Sequence, residues 1–227
     1  MSLILAEELL LLALHDEKGS VIFNSSTALP YGLSGAIILE LFMKKRLMFV
    51  DKKITVADTT PTGDSVLDEA VVLIKDFGKL KTAKYWVQKL SSKLKKLQER
   101  LANRLVEKNI LRKEERKFLW VIPYNRYPTE DPATEQDIRF QIHDIIINNK
   151  PVTGHTAALL SLVKACDLVK EVFEKDERKI AKVKIKEIAE KEPIGKAVSS
   201  VVNEVNAAVI AAVAASVAAS SATSAAS

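Results

Sequence analysis

The sequence predicts a mainly α fold: a compact helical bundle surrounded by amphipathic helices, with one or two small β-hairpins. Three observations carry this expectation. Apolar residues recur at three- and four-residue steps through most of the chain, the period of helices packed on one face. Only 7 Gly and 7 Pro are available as turn-makers, too few for a many-stranded sandwich. No Gly- or Ser-rich linker and no internal repeat divides the 227 residues, a length sufficient for one core. A single domain over residues 1–219 is expected, followed by an Ala/Ser-rich tail at 220–227 that frays.

Leu3 to Leu14 is apolar nearly all round, so it predicts a helix at the centre of the fold. Glu7 and Glu8 interrupt it, and a carboxylate in such a helix needs a Lys or Arg partner facing inward. His15 to Gly19 reads as a turn, Val21 to Phe23 as a short strand and Asn24 to Tyr31 as a polar loop. Gly32 to Lys45 is a second buried helix, with Leu33, Ile37, Ile38, Leu41 and Phe42 at helical spacing. Leu47–Val50 and Ile54–Val56 flank Asp51-Lys52-Lys53 as a small hairpin, and Asp64 caps a helix through Ile74.

Thr82 to Leu90 forms a short helix carrying Trp86. Ser91 or Ser92 caps a longer one to Lys108, whose stripe is Leu94, Leu97, Leu101 and Leu105, and Asn109 closes it in a left-handed conformation. Lys117 to Ile122 reads as a strand, with Pro123-Tyr124-Asn125 turning the chain. Helices follow at Ala133–Asn148, Thr153–Phe173 and Asp176–Lys191. Pro193 opens the last, whose Val198, Val201, Val202, Val205, Val209, Val213 and Val217 form a stripe that lies on the protein body.

The sequence holds few of the patterns that catalysis or metal binding needs. Cys166 is the single cysteine, so there is neither a disulfide framework nor a cysteine zinc cluster, and its apolar neighbours make it a buried thiol. His15, His143 and His155 are scattered without metal-ligand spacing, and Asp144 beside His143 points elsewhere on a helix. There is no Gly-x-Ser-x-Gly, P-loop or Gly-x-Gly-x-x-Gly. The carboxylates Asp64, Asp68 and Glu69 are read as capping and helix-dipole residues in preference to acid–base catalysts. No enzyme, metal or cofactor is therefore expected. Leu3 to Leu14 makes a poor signal peptide, and the Ala-rich tail a poor membrane anchor, so a cytoplasmic protein is the expectation.

The formal charge of +5 comes from 34 basic and 29 acidic side chains. Lys93, Lys96, Arg100 and Arg104 recur at i+3 and i+4 steps as a cationic stripe, with Lys95 beside it. An apolar run, Phe118-Leu119-Trp120-Val121-Ile122, follows. A basic helix with a hairpin suits a winged-helix nucleic-acid binder or a peripheral membrane protein. A DNA wing carries Lys, Arg and Gly at its tip, whereas this hairpin offers Trp120, Ile122, Pro123 and Tyr124. That favours lipid or protein contact, and nucleic acid is not the expected partner.

Several stretches, taken in order, resemble the Golgi phosphoprotein 3 family of lipid-binding proteins. They are Leu5-Ala-Glu-Glu-Leu-Leu-Leu-Leu-Ala-Leu14, Gly32-Leu-Ser-Gly-Ala-Ile-Ile-Leu-Glu-Leu41 and Pro61-Thr-Gly-Asp-Ser-Val-Leu-Asp-Glu69. Glu99-Arg-Leu-Ala-Asn-Arg-Leu-Val-Glu-Lys108, Asn125-Arg-Tyr-Pro128, Thr156-Ala-Ala-Leu-Leu-Ser-Leu162 and Asp176-Glu-Arg-Lys179 continue the series. The resemblance runs from about Leu3 to Val217.

The resemblance implies a helical, non-catalytic adaptor whose eukaryotic members bind phosphatidylinositol 4-phosphate on Golgi membranes and link glycosyltransferases to coat proteins. The family's head-group pocket uses a Trp after the first helix, an Arg in the Gly-Leu-x-Gly turn and two Arg on the basic helix. The corresponding positions are Asn24 or Ser25, Ser34, Lys95 and Gln98, with Arg100 and Arg104 as neighbouring candidates. Only Lys95 keeps the charge, and lysine does not reproduce a guanidinium's bidentate grip on phosphate. The family's hairpin, here Phe118 to Tyr127, is assigned to self-association or membrane insertion, which puts Phe118, Trp120, Ile122 and Tyr124 forward. The expected function is reversible binding of anionic phospholipid, of phosphoinositide type by resemblance, with a homo-oligomer through the hairpin. The alternatives are a winged-helix-like nucleic-acid binder and a lipid-independent oligomerisation module.

Overall fold

The computed structural model describes residues 2–118, 122–190 and 196–225. Helix α1 (Leu5–Leu12) lies against helix α2 (Leu29–Met43), and most residues of both are buried. Leu5, Leu9, Leu10 and Leu12 of α1 and Ile37, Ile38 and Leu41 of α2 have no solvent exposure. Neither helix has a polar face to turn outward, so only a central position satisfies them. Around them pack α3 (Ser65–Asp76), α4 (Ala83–Lys93), α5 (Leu97–Glu107), α6 (Ala133–Ile146), α7 (Gly154–Ala165), α8 (Val169–Val172), α9 (Arg178–Glu190) and α10 (Lys196–Ala225). The fold is mainly α, as the sequence predicts.

Two small antiparallel sheets complete it. Strands β1 (Leu47–Val50), β2 (Lys53–Val56) and β3 (Lys81–Thr82) lie in that order, with Leu47 opposite Val56 and Lys53 opposite Thr82. Strands β4 (Glu114–Phe118) and β5 (Ile122–Arg126) form a separate ribbon. The chain leaving that ribbon is stitched to the turn after α1: Tyr127 N–H donates to the Gly19 carbonyl at 2.9 Å and Thr129 N–H to that of Asp16 at 2.9 Å. Gly19 has φ +59°, and a Cβ there would lie 2.2 Å from the Pro128 nitrogen, so the approach requires glycine.

Several boundaries differ from the sequence reading, each for a local reason. Helix α2 begins at Leu29, inside the stretch expected as loop, because Pro30 falls in its first turn, where a missing N–H is harmless. The strand expected at Val21–Phe23 is a single bridge between Val21 and Leu14, followed by a 3-10 turn at Phe23–Ser25. Ser91 and Ser92 do not start the basic helix. Their hydroxyls donate back to the Gln88 and Lys89 carbonyls at 2.9 Å, so they prolong α4. The break comes later, at Lys96 with φ +52°, and α5 starts at Leu97.

Pro123, Tyr124 and Asn125 are strand residues paired with Lys117, Arg116 and Glu115, not a turn. A two-stranded ribbon has only edge strands, where proline is tolerated. The helix expected over Thr153–Phe173 is split after Ala165. Asp167 takes φ +55°, and the Leu168 N–H closes on the Val163 carbonyl at 2.9 Å. Helix α10 is drawn out to Ala225, in keeping with the helix propensity of its alanines. The expected start at Pro193 lies outside the described residues.

The valine stripe of α10 lies on the body as far as Val213, whereas Val217 beyond it is 53% exposed. Val202, Val205, Ala208, Val209 and Ala212 are buried against α2, α4 and α7. Gly35 of α2 permits this approach, since a Cβ there would meet Val209 Cγ2 at 2.6 Å. By length and composition Val198–Ser221 is the one helix among the described residues apolar enough to cross a membrane.

Candidate functional site

The cations that the sequence places on one stripe divide in the structure into those used by the fold and those left in solvent. Arg104, on α5, sends Nε to Glu7 Oε1 at 3.1 Å and Nη2 to Asp64 Oδ2 at 2.6 Å. Glu7 is fully buried, and it also receives Lys108 Nζ at 2.8 Å and the Ile4 N–H at 3.0 Å. Asp64 simultaneously caps α3, accepting the N–H groups of Val66 and Leu67 at 2.9 and 3.1 Å. Burial pushes the Asp64 carboxyl up, but the Arg104 guanidinium and the two backbone donors outweigh it and hold the group below its ordinary range. Arg100 Nη1 pairs with Glu69 Oε2 at 2.7 Å. These contacts tie α1, α3 and α5 together, and they supply the cationic partner expected for Glu7.

The other suspected chemistry resolves into structural pairs. His143 Nε2 lies 2.8 Å from Glu177 Oε1 and His155 Nε2 lies 2.7 Å from Glu8 Oε2. Asp144 points away from His143, to Asn148 Nδ2 at 2.6 Å and Lys150. Burial pushes the Cys166 thiol up to about 12, so it is no nucleophile at neutral pH. Among the described residues no group of His, Cys, Asp and Glu has metal-binding geometry.

The head-group candidates fall in different settings. Asn24 is exposed on the 3-10 turn, whereas Ser25 and Ser34 are fully buried. Their hydroxyls donate to the Ile22 and Pro30 carbonyls, both at 2.9 Å. Lys95 is exposed and Gln98 half-buried at the turn between α4 and α5. Among the described residues, no hydrogen bond or ion pair joins Asn24, Ser25 or Ser34 to Lys95 or Gln98. In the ribbon, Phe118 pairs with Ile122, and the Arg126 guanidinium sits 5.5 Å over the half-exposed Tyr124 ring. Trp120 lies outside the described residues, as do the side chains of Phe118 and Ile122.

A larger group of lysines extends from the exposed end of that stripe into a region that no helical period announced. Residues 75–96 carry eight lysines against one acid, Asp76, and no arginine. The signal was present as a charge run, but it spans a helix end, a loop, a two-residue strand and a second helix, so it has no single period. Among the described residues only Lys96 of these lysines makes an ion pair, with Glu99 at 3.4 Å.

Comparison with known proteins finds relatives by sequence. The chain is 30% identical over 167 residues to vacuolar protein sorting-associated protein 74 of Eremothecium gossypii, an alignment covering 64% of this chain and 50% of that protein. The chain thus spans about half the length of the curated relative it matches. The family model described as Golgi phosphoprotein 3 (GPP34) matches residues 5–205, from the first central helix into the last. With the central helix pair, the Asp64 cap and the basic helix all inside that match, the chain belongs to the Golgi phosphoprotein 3 family.

Proposed function

We propose that this chain is a non-enzymatic peripheral membrane protein that binds anionic phospholipid head groups reversibly from the cytoplasmic side, as a membrane adaptor. Family membership supports the class, and one observation carries the site: the exposed Lys93, Lys95 and Lys96 at the turn between α4 and α5. The family resemblance implies that Lys95 takes the place of a cation of the family's pocket. Arg100 and Arg104 act behind it, holding the turn through Glu69, Asp64 and Glu7. With Ser34 buried and an amide at Gln98, a phosphate meets point charges here instead of guanidinium forks. The reading is therefore of a protein that senses negative membrane charge, with phosphatidylinositol 4-phosphate as one source of it. The ribbon is its second contact, with lipid or with another copy of the chain.

Liposome flotation tests this. Vesicles of phosphatidylcholine should leave the protein in solution, and vesicles containing phosphatidylserine should carry it upward. Phosphatidylinositol 4-phosphate should perform no better than phosphatidylserine at matched charge. Absence of binding to every anionic vesicle would sink the reading.

A further inference from the structure

Phe77 is the hub of a cationic face that the family resemblance does not point to. It ends α3 and packs edge-on against Trp86 of α4, with ring centroids 5.4 Å apart. Lys81 and Lys89 both lie over its ring, at 5.9 and 5.7 Å, and Lys81 also lies 5.2 Å from the Tyr85 ring. On α4, Tyr85, Lys89 and Lys93 follow one another at four-residue steps, so the ring-bound Lys89 continues into the exposed Lys93. On the other side, Lys75 and Lys79 line a shallow cavity of about 280 Å³ with Gly78, Leu80 and Ile54. The small sheet adds its hairpin tip, since Lys53 pairs with Thr82 and Ile54 with Lys81.

The charge balance is lopsided. The segment 75–96 carries a net +7 in a chain whose total is +5, so the remaining 205 residues are slightly acidic. Exposed apolar side chains accompany the lysines: Leu80, between Lys79 and Lys81, is 45% exposed, and Val72, in the helix turn before Lys75, is 53% exposed. A set of point charges with long stems, around protruding aliphatic groups, matches a planar anionic interface, where ammonium groups reach phosphates and Leu80 enters the head-group region. It does not match base stacking, because Phe77 and Tyr85 are already covered by lysines and by each other, with ring centroids 5.3 Å apart.

We infer that the α3–β3–α4 face around Phe77 is a docking surface for anionic bilayers, engaging them by summed lysine charge and the Leu80 side chain without selecting a head group. This rests on the membrane-binding function proposed above and places most of its affinity outside the positions equivalent to the family's pocket.

The test compares the wild type with Lys75→Gln/Lys79→Gln/Lys84→Gln, three exposed positions without ion pairs among the described residues, and with Lys95→Gln. Partitioning onto phosphatidylcholine vesicles with and without phosphatidylserine is read beside circular dichroism. At roughly fivefold per lysine, the triple variant should partition about a hundredfold more weakly, and Lys95→Gln about fivefold. Leu80→Ser should weaken binding in high salt, where charge is screened. A folded triple variant that binds like wild type overturns this inference alone. Wild type that ignores anionic vesicles overturns the proposed function and this surface with it. Duplex DNA retarded by the wild type while vesicles are ignored gives the face to nucleic acid and overturns it too.

Discussion

Lys108 Nζ lies 2.8 and 2.9 Å from the two carboxylate oxygens of Glu7, a side chain with no solvent exposure. The two residues sit 101 positions apart, at the start of α1 and the end of α5. Each serves its helix as well as the other residue. Glu7 accepts the Ile4 N–H before the first turn, and Lys108 brings a cation to the negative end of α5. One buried carboxylate thus satisfies a helix start and pairs with two cations, one of which it shares with Asp64.

Removing that charge leaves Arg104 and Lys108 facing a neutral group in a partly buried setting. Glu7→Gln should lose about 3 kcal/mol of stability in urea unfolding, in the range for breaking a buried ion pair from one side. Lys108→Met should lose less, because Arg104 still compensates Glu7 and the methionine stem keeps the packing. Equal losses would mean that Arg104 does not compensate the buried carboxylate.

Arg104 and Lys95 should separate stability from membrane binding. Arg104→Ala removes ties to Glu7 and Asp64 and should cost about 3 kcal/mol. Its folded fraction should still partition onto anionic vesicles like wild type. Lys95→Gln should show the reverse, with unchanged urea unfolding and weaker partitioning. Urea titration and flotation of both variants decide it, and a vesicle-binding loss in stable Arg104→Ala would assign the guanidinium a direct lipid contact.

Much of the fold is legible in the sequence because its strongest signals are local. The largely apolar run of α1, the Asp64 cap and the left-handed Asn109 each follow from residues within one or two turns. Other features depend on nonlocal partners. Nothing around Ser91 and Ser92 reveals that the chain breaks at Lys96 instead, since buried Leu94 and Leu97 anchor both sides of that turn in the core. Arg100 and Arg104 look like a solvent-facing stripe until α3 and α1 bring Glu69, Asp64 and Glu7 to them. The lysines around Phe77 escape a periodicity search for the opposite reason: three elements contribute them, and only the fold collects them.

The Glu8–His155 pair makes stability depend on pH in a defined direction. The hydrogen bond to Glu8 raises the imidazole above its ordinary 6.5, against a smaller opposing effect of burial. A pKa raised on folding contributes stabilisation that is complete below the unfolded value and is lost as pH rises through the native one. Wild type should therefore lose stability relative to His155→Gln as pH climbs upward from about 6.5, by under about 1 kcal/mol for a side chain this exposed. Urea unfolding of both proteins across that range checks it, and a pH-independent difference would refute it.

Gly32 offers a test of the closest contact in the core. A Cβ at this position would lie 2.2 Å from Cys166 Sγ and 3.1 Å from Leu9 Cδ2, and all of these groups are fully buried with nowhere to move. Gly32→Ala should therefore cost about 2 kcal/mol or more, despite alanine's better helix propensity. Cys166→Ala removes the sulfur and should by itself cost about 1 kcal/mol for the small void. In the double variant the new methyl occupies that void, so the two penalties should fall short of their sum by about 1 kcal/mol or more. Urea midpoints of the four proteins measure this coupling, and simple additivity would show that the clash is relieved elsewhere. The thiol supplies an independent readout. With its pKa at about 12 and its sulfur enclosed, Cys166 should resist a disulfide reagent at neutral pH in the wild type and react faster in Gly32→Ala, whose strained helix contact opens more often.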